Sequence, residues 1–196
     1  MNERIAKWDE RYRKGEGEHG FEPSPPLLQA IQEVAPGLAL DIACGAGRHA
    51  IFLTERGWRV VAVDGSRAGL ERLREESGRR GIGHRIEARL ADLERRPRRF
   101  AIRPAAYDLI CDFYFLDRTL FDKIRAGVRP GGLFVVALHV ALPEDPAPGN
   151  PAFSLLPGEL ERLAAGWGWK ILHSLEGPPR ESGHERATAE LIARRP

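Results

Sequence analysis

Sulfur chemistry is almost missing from this chain of 196 residues, which has two cysteines, Cys44 and Cys111, and one methionine. A disulfide framework or a four-ligand zinc site needs more cysteine than that, and no metal site is expected. Charge of one sign is also scarce. The formal net charge is +2, too small to make nucleic acid the main partner. Lysine occurs only at positions 7, 14, 123 and 170, so arginine carries the basic character, a bias that identifies no substrate. No apolar run is long enough to span a bilayer, and residues 1–20 are charged and hold no apolar signal region. These absences lead us to expect a cytoplasmic protein with no membrane partner. The ordinary features fit that picture, since 42% hydrophobic and 30% charged residues suit one soluble domain with a sizeable core.

The chain alternates strand and helix patterns. Trp8 and Tyr12 share the face of an N-terminal helix, which the loop residues 15–26 interrupt. Apolar positions 27, 28, 31 and 34 have helical spacing and stop before Pro36-Gly37. Strands are expected at 39–43, 58–64, 84–92, 107–113 and 133–140, with helices from the glycine loop to Arg56, over 66–80 and around 117–127. Short connections of this kind imply an α/β domain with a parallel sheet. The tail differs. A proline-rich loop over 141–153 precedes a helix at 157–165, and strands at 169–175 and 186–194 follow with no helix between them. Those two strands must pair as an antiparallel hairpin at one edge of the sheet.

The segment LALDIACGAGRHA, residues 38–50, holds the chemistry. Gly45, Gly47 and Ala50 fit the G-x-G-x-x-G/A pattern in which a helix N-terminus meets an anionic group. Acids stand at three strand ends, Asp41, Asp64 and Asp92. Asp64, 19 residues past Gly45, is placed to accept both hydroxyls of a ribose. That suits a dinucleotide as well as S-adenosylmethionine. Asp41 separates them, because it would repel a pyrophosphate and attract the cationic end of a methyl donor. Asp92 suits an adenine amino group and the Leu93 backbone N–H suits the ring. The small residues Ala43 and Ala46 allow close approach of the backbone.

These blocks, with YDLICDFYFLD and VRPGGLFVV further on, resemble the class I S-adenosylmethionine-dependent methyltransferase pattern. Within it the chain is similar to the tellurite-resistance methyltransferase group. WDERYRKGEGEHGFEPSPPLL, NPAFSLLPGELERLAAGWGWKI and RATAELIARR carry that closer likeness, which runs from about Trp8 to the end. The resemblance implies a single Rossmann-like domain over 1–196, a three-layer sandwich around a mostly parallel seven-stranded sheet. It implies an N-terminal lid over 1–26 and a core over 27–196. It also implies S-adenosylmethionine as cofactor, held by Asp41, Ala43, Gly45, Gly47, Asp64, Gly65, Asp92, Leu93, Asp112, Trp8 and Tyr12, and a small-molecule acceptor such as a thiol, a chalcogen oxyanion or another anionic metabolite. The oligomeric state, monomer or dimer, stays open. Ala43 replaces a glycine common in this loop and is expected to keep a negative φ. The lid, lacking a packing partner of its own, is expected to order when cofactor binds.

The same residues have plainer readings. Asp41, Asp64 and Asp92 could cap helices. Cys44 and Cys111 could be fillers, and His49 could pack or cap. Of Phe113, Tyr114 and Phe115, three adjacent aromatics, at least one is expected to line a pocket. Arg180, His184, Arg186 and His139 are the candidates for the acceptor site, and sequence alone fixes no catalytic residue. Arg180 and Arg186 could hold an oxyanion, or Glu181 and Glu185 could neutralise them. The tellurite group carries a His-Arg pair where this chain has Pro179-Arg180. A nicotinamide-dependent oxidoreductase leaves Asp41 unexplained and lacks a Tyr-x-x-x-Lys motif, while a non-catalytic cofactor-binding protein remains a second alternative.

Overall fold

The computed structural model describes residues 2–16, 22–96, 100–143, 150–181 and 184–196. The chain forms two compact units. The first comprises the residues up to Pro23 with Pro36–Ala101, the second Ser24–Ala35 with Ile102–Pro196. Seven strands make one mixed α/β sheet of Rossmann-like architecture in the order β3-β2-β1-β4-β5-β7-β6.

In the first unit, α1 (Glu3–Arg13) starts where the Asn2 side chain accepts the Arg4 N–H at 3.0 Å. β1 (Leu38–Ile42) is an apolar run interrupted only by Asp41. α3 (Arg48–Glu55) follows the glycine loop and stops at Gly57, whose φ of +90° ends a helix without a Cβ clash. β2 (Arg59–Asp64) lies parallel to β1. α4 (Arg67–Arg79) is capped by Ser66, whose Oγ accepts the Gly69 N–H at 3.0 Å. Leu70, Leu73 and Ser77 are its buried stripe at helical spacing. β3 (Ile86–Leu90) completes a parallel trio. It is shorter than the sequence suggests because a 3₁₀ turn takes residues 83–85 and a turn begins after Ala91.

In the second unit, α2 (Pro25–Ala30) puts prolines in its first turn, where no N–H is needed, and ends short of Val34. β4 (Tyr107–Phe113) is buried along its whole length and parallel to β5 (Val128–His139). β5 begins five residues before the expected strand. Residues 129–132 form a bulge inside it rather than a turn before it, and Gly131 at φ +78° supplies the left-handed position. A 3₁₀ turn at Arg118–Leu120 takes the first part of the helix expected around 117, and α5 is Phe121–Gly127. α6 (Glu159–Gly166) leads into β6 (Lys170–Gly177) and β7 (Thr188–Arg194). Both pairings of β7 are antiparallel, to β5 and to β6. Its run TAELIA is buried on both faces, and so it lies inside the sheet, while half-exposed β6 takes the edge.

Candidate functional site

The first unit gathers its polar groups at the carboxyl ends of β1 and β2, where parallel sheets present ligands. The loop from β1 to α3 is set by two backbone bonds, from Cys44 N–H to the Val63 carbonyl at 3.1 Å and from Gly47 N–H to the Cys44 carbonyl at 2.8 Å. Gly45 (φ +54°) and Gly47 (φ +85°) are left-handed. Ala43 is left-handed too, at φ +53°. The expected negative φ is therefore wrong, and the fixed loop imposes a conformation worth about 1–2 kcal/mol against an L residue. The two glycines are also needed for space. A Cβ on Gly45 would fall 2.1 Å from the Tyr12 hydroxyl, and one on Gly47 2.2 Å from Leu73 Cδ1.

Asp64 ties the loop to β2. One carboxylate oxygen accepts the Gly45 N–H at 2.8 Å and the other the Ser66 N–H at 2.7 Å. Burial raises its pKa above the ordinary 3.8 against the pull of the Ser66, Gly45 and Gly65 amides. Asp41 is 1% exposed on β1, beside Ala62 of β2. Burial, then Asp41 and Asp64, push the Cys44 thiol well above its usual range. A protonated thiol is a filler, not a nucleophile. His49 is buried, and desolvation with nearby Arg48 drives its pKa well below 6.5, so its imidazole is neutral.

Asp9 escaped the sequence reading altogether. It lies on α1 yet caps α4, accepting the Ser66 hydroxyl and the Ala68 N–H, each at 2.8 Å. Burial opposes its charge, but those bonds and the Arg13 guanidinium hold its carboxyl below 3.8. The signal was an acid inside the spacing Ile5, Asp9, Tyr12, a single helix face. Ile5 covers Gly65, leaving 2.6 Å between its Cδ1 and the place of a Cβ there. Tyr12 stands over Gly45, and its carbonyl accepts from Arg72 at 3.0 Å. α1 is thus packed on α4, a partner within the chain that the sequence reading did not foresee for residues 3–13, while residues 17–21 lie outside the described residues.

Burial, with Asp64 and Cys44 nearby, raises the Tyr12 phenol well above 10, so it is neutral. Trp8 is 40% exposed, stacked on Tyr12 at 5.8 Å with the Arg11 guanidinium over its ring. Asp92 follows β3, and its Oδ1 accepts the N–H groups of Glu94 and Arg95 at 3.0 and 3.1 Å. These are the bonds of a local turn, since residues 93–96 are bends and not a helix that Asp92 could cap. Leu93 is buried and its carbonyl accepts from Arg96.

In the second unit, Asp112 and Cys111 are buried on β4. The residue after β4, Tyr114, has φ +64°, an outlier for a bulky side chain. Its hydroxyl donates to Glu181 Oε1 at 2.8 Å. The His184 imidazole stacks on its ring at 3.9 Å and 13°. His139, the last residue of β5, is tilted to Tyr114 at 5.3 Å and to His184 at 5.7 Å. Phe113 is buried, whereas Tyr114 and Phe115 are half-buried.

Neither expected arginine has the surroundings foreseen for it. Arg180 makes a two-point pair with Glu190, Nε to Oε1 at 3.1 Å and Nη2 to Oε2 at 2.9 Å, and His173 meets the same carboxylate at 3.1 Å. Arg186 donates to the Ser154 hydroxyl at 2.5 Å. The neutralising acid for Arg180 is Glu190, opposite Leu175 in the β6–β7 register, rather than Glu181 or Glu185. A two-arginine oxyanion clamp is therefore not formed by the residues expected to make one. Among the described residues no group of three or more His, Cys, Asp or Glu could hold a metal ion, and no helix is long and apolar enough to cross a membrane.

Residues 39–132 match the methyltransferase domain family. The chain is 28% identical over 153 residues to Hemagglutinin 1 of Eikenella corrodens, covering 72% of this chain and 47% of that protein. It spans half or less of the length of the curated relatives it matches. The structure of TehB from Haemophilus influenzae superposes with a TM-score of 0.76 at 20% identity, over 96% of this chain and 67% of that one. A didemethyltoxoflavin methyltransferase from Burkholderia thailandensis, solved with its acceptor and S-adenosylhomocysteine bound, gives 0.72 at 19% identity over 97% and 86%.

Proposed function

We propose that this protein, whose residues 39–132 match the methyltransferase domain family, transfers a methyl group from S-adenosylmethionine to a small molecule. The carboxylate of Asp64 carries this reading. Its two oxygens accept the Gly45 and Ser66 amides and interact with the Gly65 amide. With about two lone-pair directions on each oxygen, the carboxylate still suits the hydroxyls of a ribose. A half-buried carboxylate with a raised pKa gains from two further donors, which favour its charged form.

The donor set fits the rest of that cofactor. Asp41 suits a cationic amino acid end, and the loop at Ala43, Gly45 and Gly47 suits close approach of its carboxylate to backbone amides. Gly65, Asp92 and Leu93 at the following strand ends suit the further contacts, and Tyr12 closes over the loop beside Trp8. The bound cofactor supplies an electrophilic methyl on a sulfonium. What the protein contributes is position and exclusion of water, a contribution of roughly 7–11 kcal/mol when alignment is good. An in-line displacement by a soft nucleophile needs no base, whereas a nitrogen or oxygen nucleophile that carries a proton does. The neighbours support a small acceptor, since the Burkholderia enzyme is solved with didemethyltoxoflavin. Calorimetry tests the reading: S-adenosylhomocysteine is expected to bind at one site per chain and NAD not at all. Tighter binding of NAD would replace it with a nicotinamide enzyme.

A further inference from the structure

One face of α1 carries Ile5, Asp9 and Tyr12, an acid between two large side chains. A carboxylate is costly to bury in such company, yet Asp9 is buried. The three residues meet three neighbouring stretches of backbone. Ile5 lies against Gly65, Asp9 accepts the Ser66 hydroxyl and the Ala68 N–H, and Tyr12 stands over Gly45. Gly45, Gly65 and Ser66 are also the residues whose amides hold the Asp64 carboxylate. A single helix face therefore braces each of these amides, and all of the residues concerned belong to the first unit.

We propose that Asp9 is a positioning residue for the cofactor, which fixes Ser66 and through it aims the Asp64 carboxylate at the ribose. The proposal rests on the methyl-transfer reading, in which Asp64 receives the ribose hydroxyls. Ser66 is buried, and its hydroxyl proton needs an acceptor inside the protein. Asp9 Oδ1 is that acceptor at 2.8 Å, and the same oxygen takes the Ala68 N–H at 2.8 Å. Pinned from that side, Ser66 donates its own N–H to Asp64 Oδ1 at 2.7 Å. Only Gly65 lies between the two residues, so a shift of Ser66 swings the carboxylate it holds. Groups that bind a ligand must be kept within about 0.5 Å of their working place. The Asp9 charge itself gives Asp64 no help. Burial raises the Asp64 pKa above 3.8, and the Asp9 charge adds to the rise. What Asp9 contributes is its two accepted bonds. Asparagine offers an oxygen for the same two bonds, and exposed Arg13 keeps Glu10 as a partner at 3.5 Å.

Calorimetry of S-adenosylhomocysteine on the full chain tests this, with the fold of each variant checked by circular dichroism at the same temperature. Asp9→Ala is expected to weaken binding about tenfold, within the range of coupling between members of one hydrogen-bond network. In the Asp64→Ala background the same change is expected to cost no more than about twofold, because the carboxylate that Asp9 aims is gone. Asp9→Asn is expected to bind within about twofold of the wild type, since the bonds return without the charge. Should Asp9→Ala fail to fold, Ser66→Ala carries the same cycle. It cuts the hydroxyl link and leaves the Ala68 bond in place, and its loss of affinity is likewise expected to vanish without Asp64. Unchanged affinity in the folded variant would overturn the proposal. Equal losses with and without Asp64 would overturn it as well, since Asp9 would then brace the loops at large. Weak binding by Asp9→Asn would put the effect in the charge and overturn the bonded link. If the wild-type chain binds no S-adenosylhomocysteine, the methyl-transfer reading falls and the positioning role with it, whereas each of the other outcomes leaves that reading in place.

Discussion

The glycine loop of the first unit and the ring cluster of the second hold their polar groups by opposite means. Around the loop, backbone holds side chain. Asp64 is fixed by two amides, Asp9 by an amide and a hydroxyl, and the loop by left-handed residues. In the cluster, side chain holds side chain: Tyr114 by Glu181, Arg180 by Glu190 and His184 by a ring face. A site made from backbone is legible from spacing, because strand ends and loop lengths place it. A site made from side-chain pairs is not, because the partner of each group comes from another strand.

The sharpest way to break the comparison is Gly47→Ala, which asks whether backbone really limits the first region. A Cβ at φ +85° and 2.2 Å from Leu73 combines left-handed strain with overpacking, for a loss of about 3–5 kcal/mol. Urea unfolding reads it, and a loss below 1 kcal/mol would mean that the loop re-forms freely. Next comes Asp9→Ala, expected to lose about 2–4 kcal/mol because two buried donors at the start of α4 lose their acceptor. The same carboxyl gives a pH dependence. Its folded pKa lies below 3.8, so the stability it contributes is present above the ordinary carboxylate value and is lost as pH falls through the lower folded value. Melting temperature against pH is therefore expected to fall less steeply on the acid side in Asp9→Asn than in the wild type.

Asp64→Ala is expected to weaken S-adenosylhomocysteine binding by about 1.5–3 kcal/mol, the worth of charge-assisted bonds. Unchanged affinity in calorimetry would leave Asp64 as a loop staple only. The second region supplies the smallest effect. Arg118 pairs with Glu159 at 2.6 Å but is 42% exposed, so Arg118→Ala should lower stability by about 0.2–1 kcal/mol. A much larger loss would show that an exposed pair in this unit carries more than the solvent around it allows.

Strand and helix order, the glycine loop and the acids at 41 and 64 were open to the sequence. They depend on local chemistry: apolar runs make strands, Gly47 and Gly57 bracket a helix, and an acid after a strand stays at that strand's end. The bulge at residues 129–132 was missed because RPGG reads as a turn unless the flanking ladder is known. Left-handed Ala43 was missed because its conformation is set by bonds to Val63 and within the loop, not by its own preference. Asp9 shows the limit most clearly. Its spacing with Ile5 and Tyr12 marked a helix face, but nothing local says that this face meets the start of a helix 57 residues away. The pairing of Arg180 with Glu190 was likewise decided by the β6–β7 register. Sequence alone determined the periodic pattern and the chemistry at the strand ends, since both follow from neighbours along the chain. Tertiary structure alone decided which charges cap, cancel or stack, because those choices depend on groups brought within 3 Å or so by the packing of distant segments.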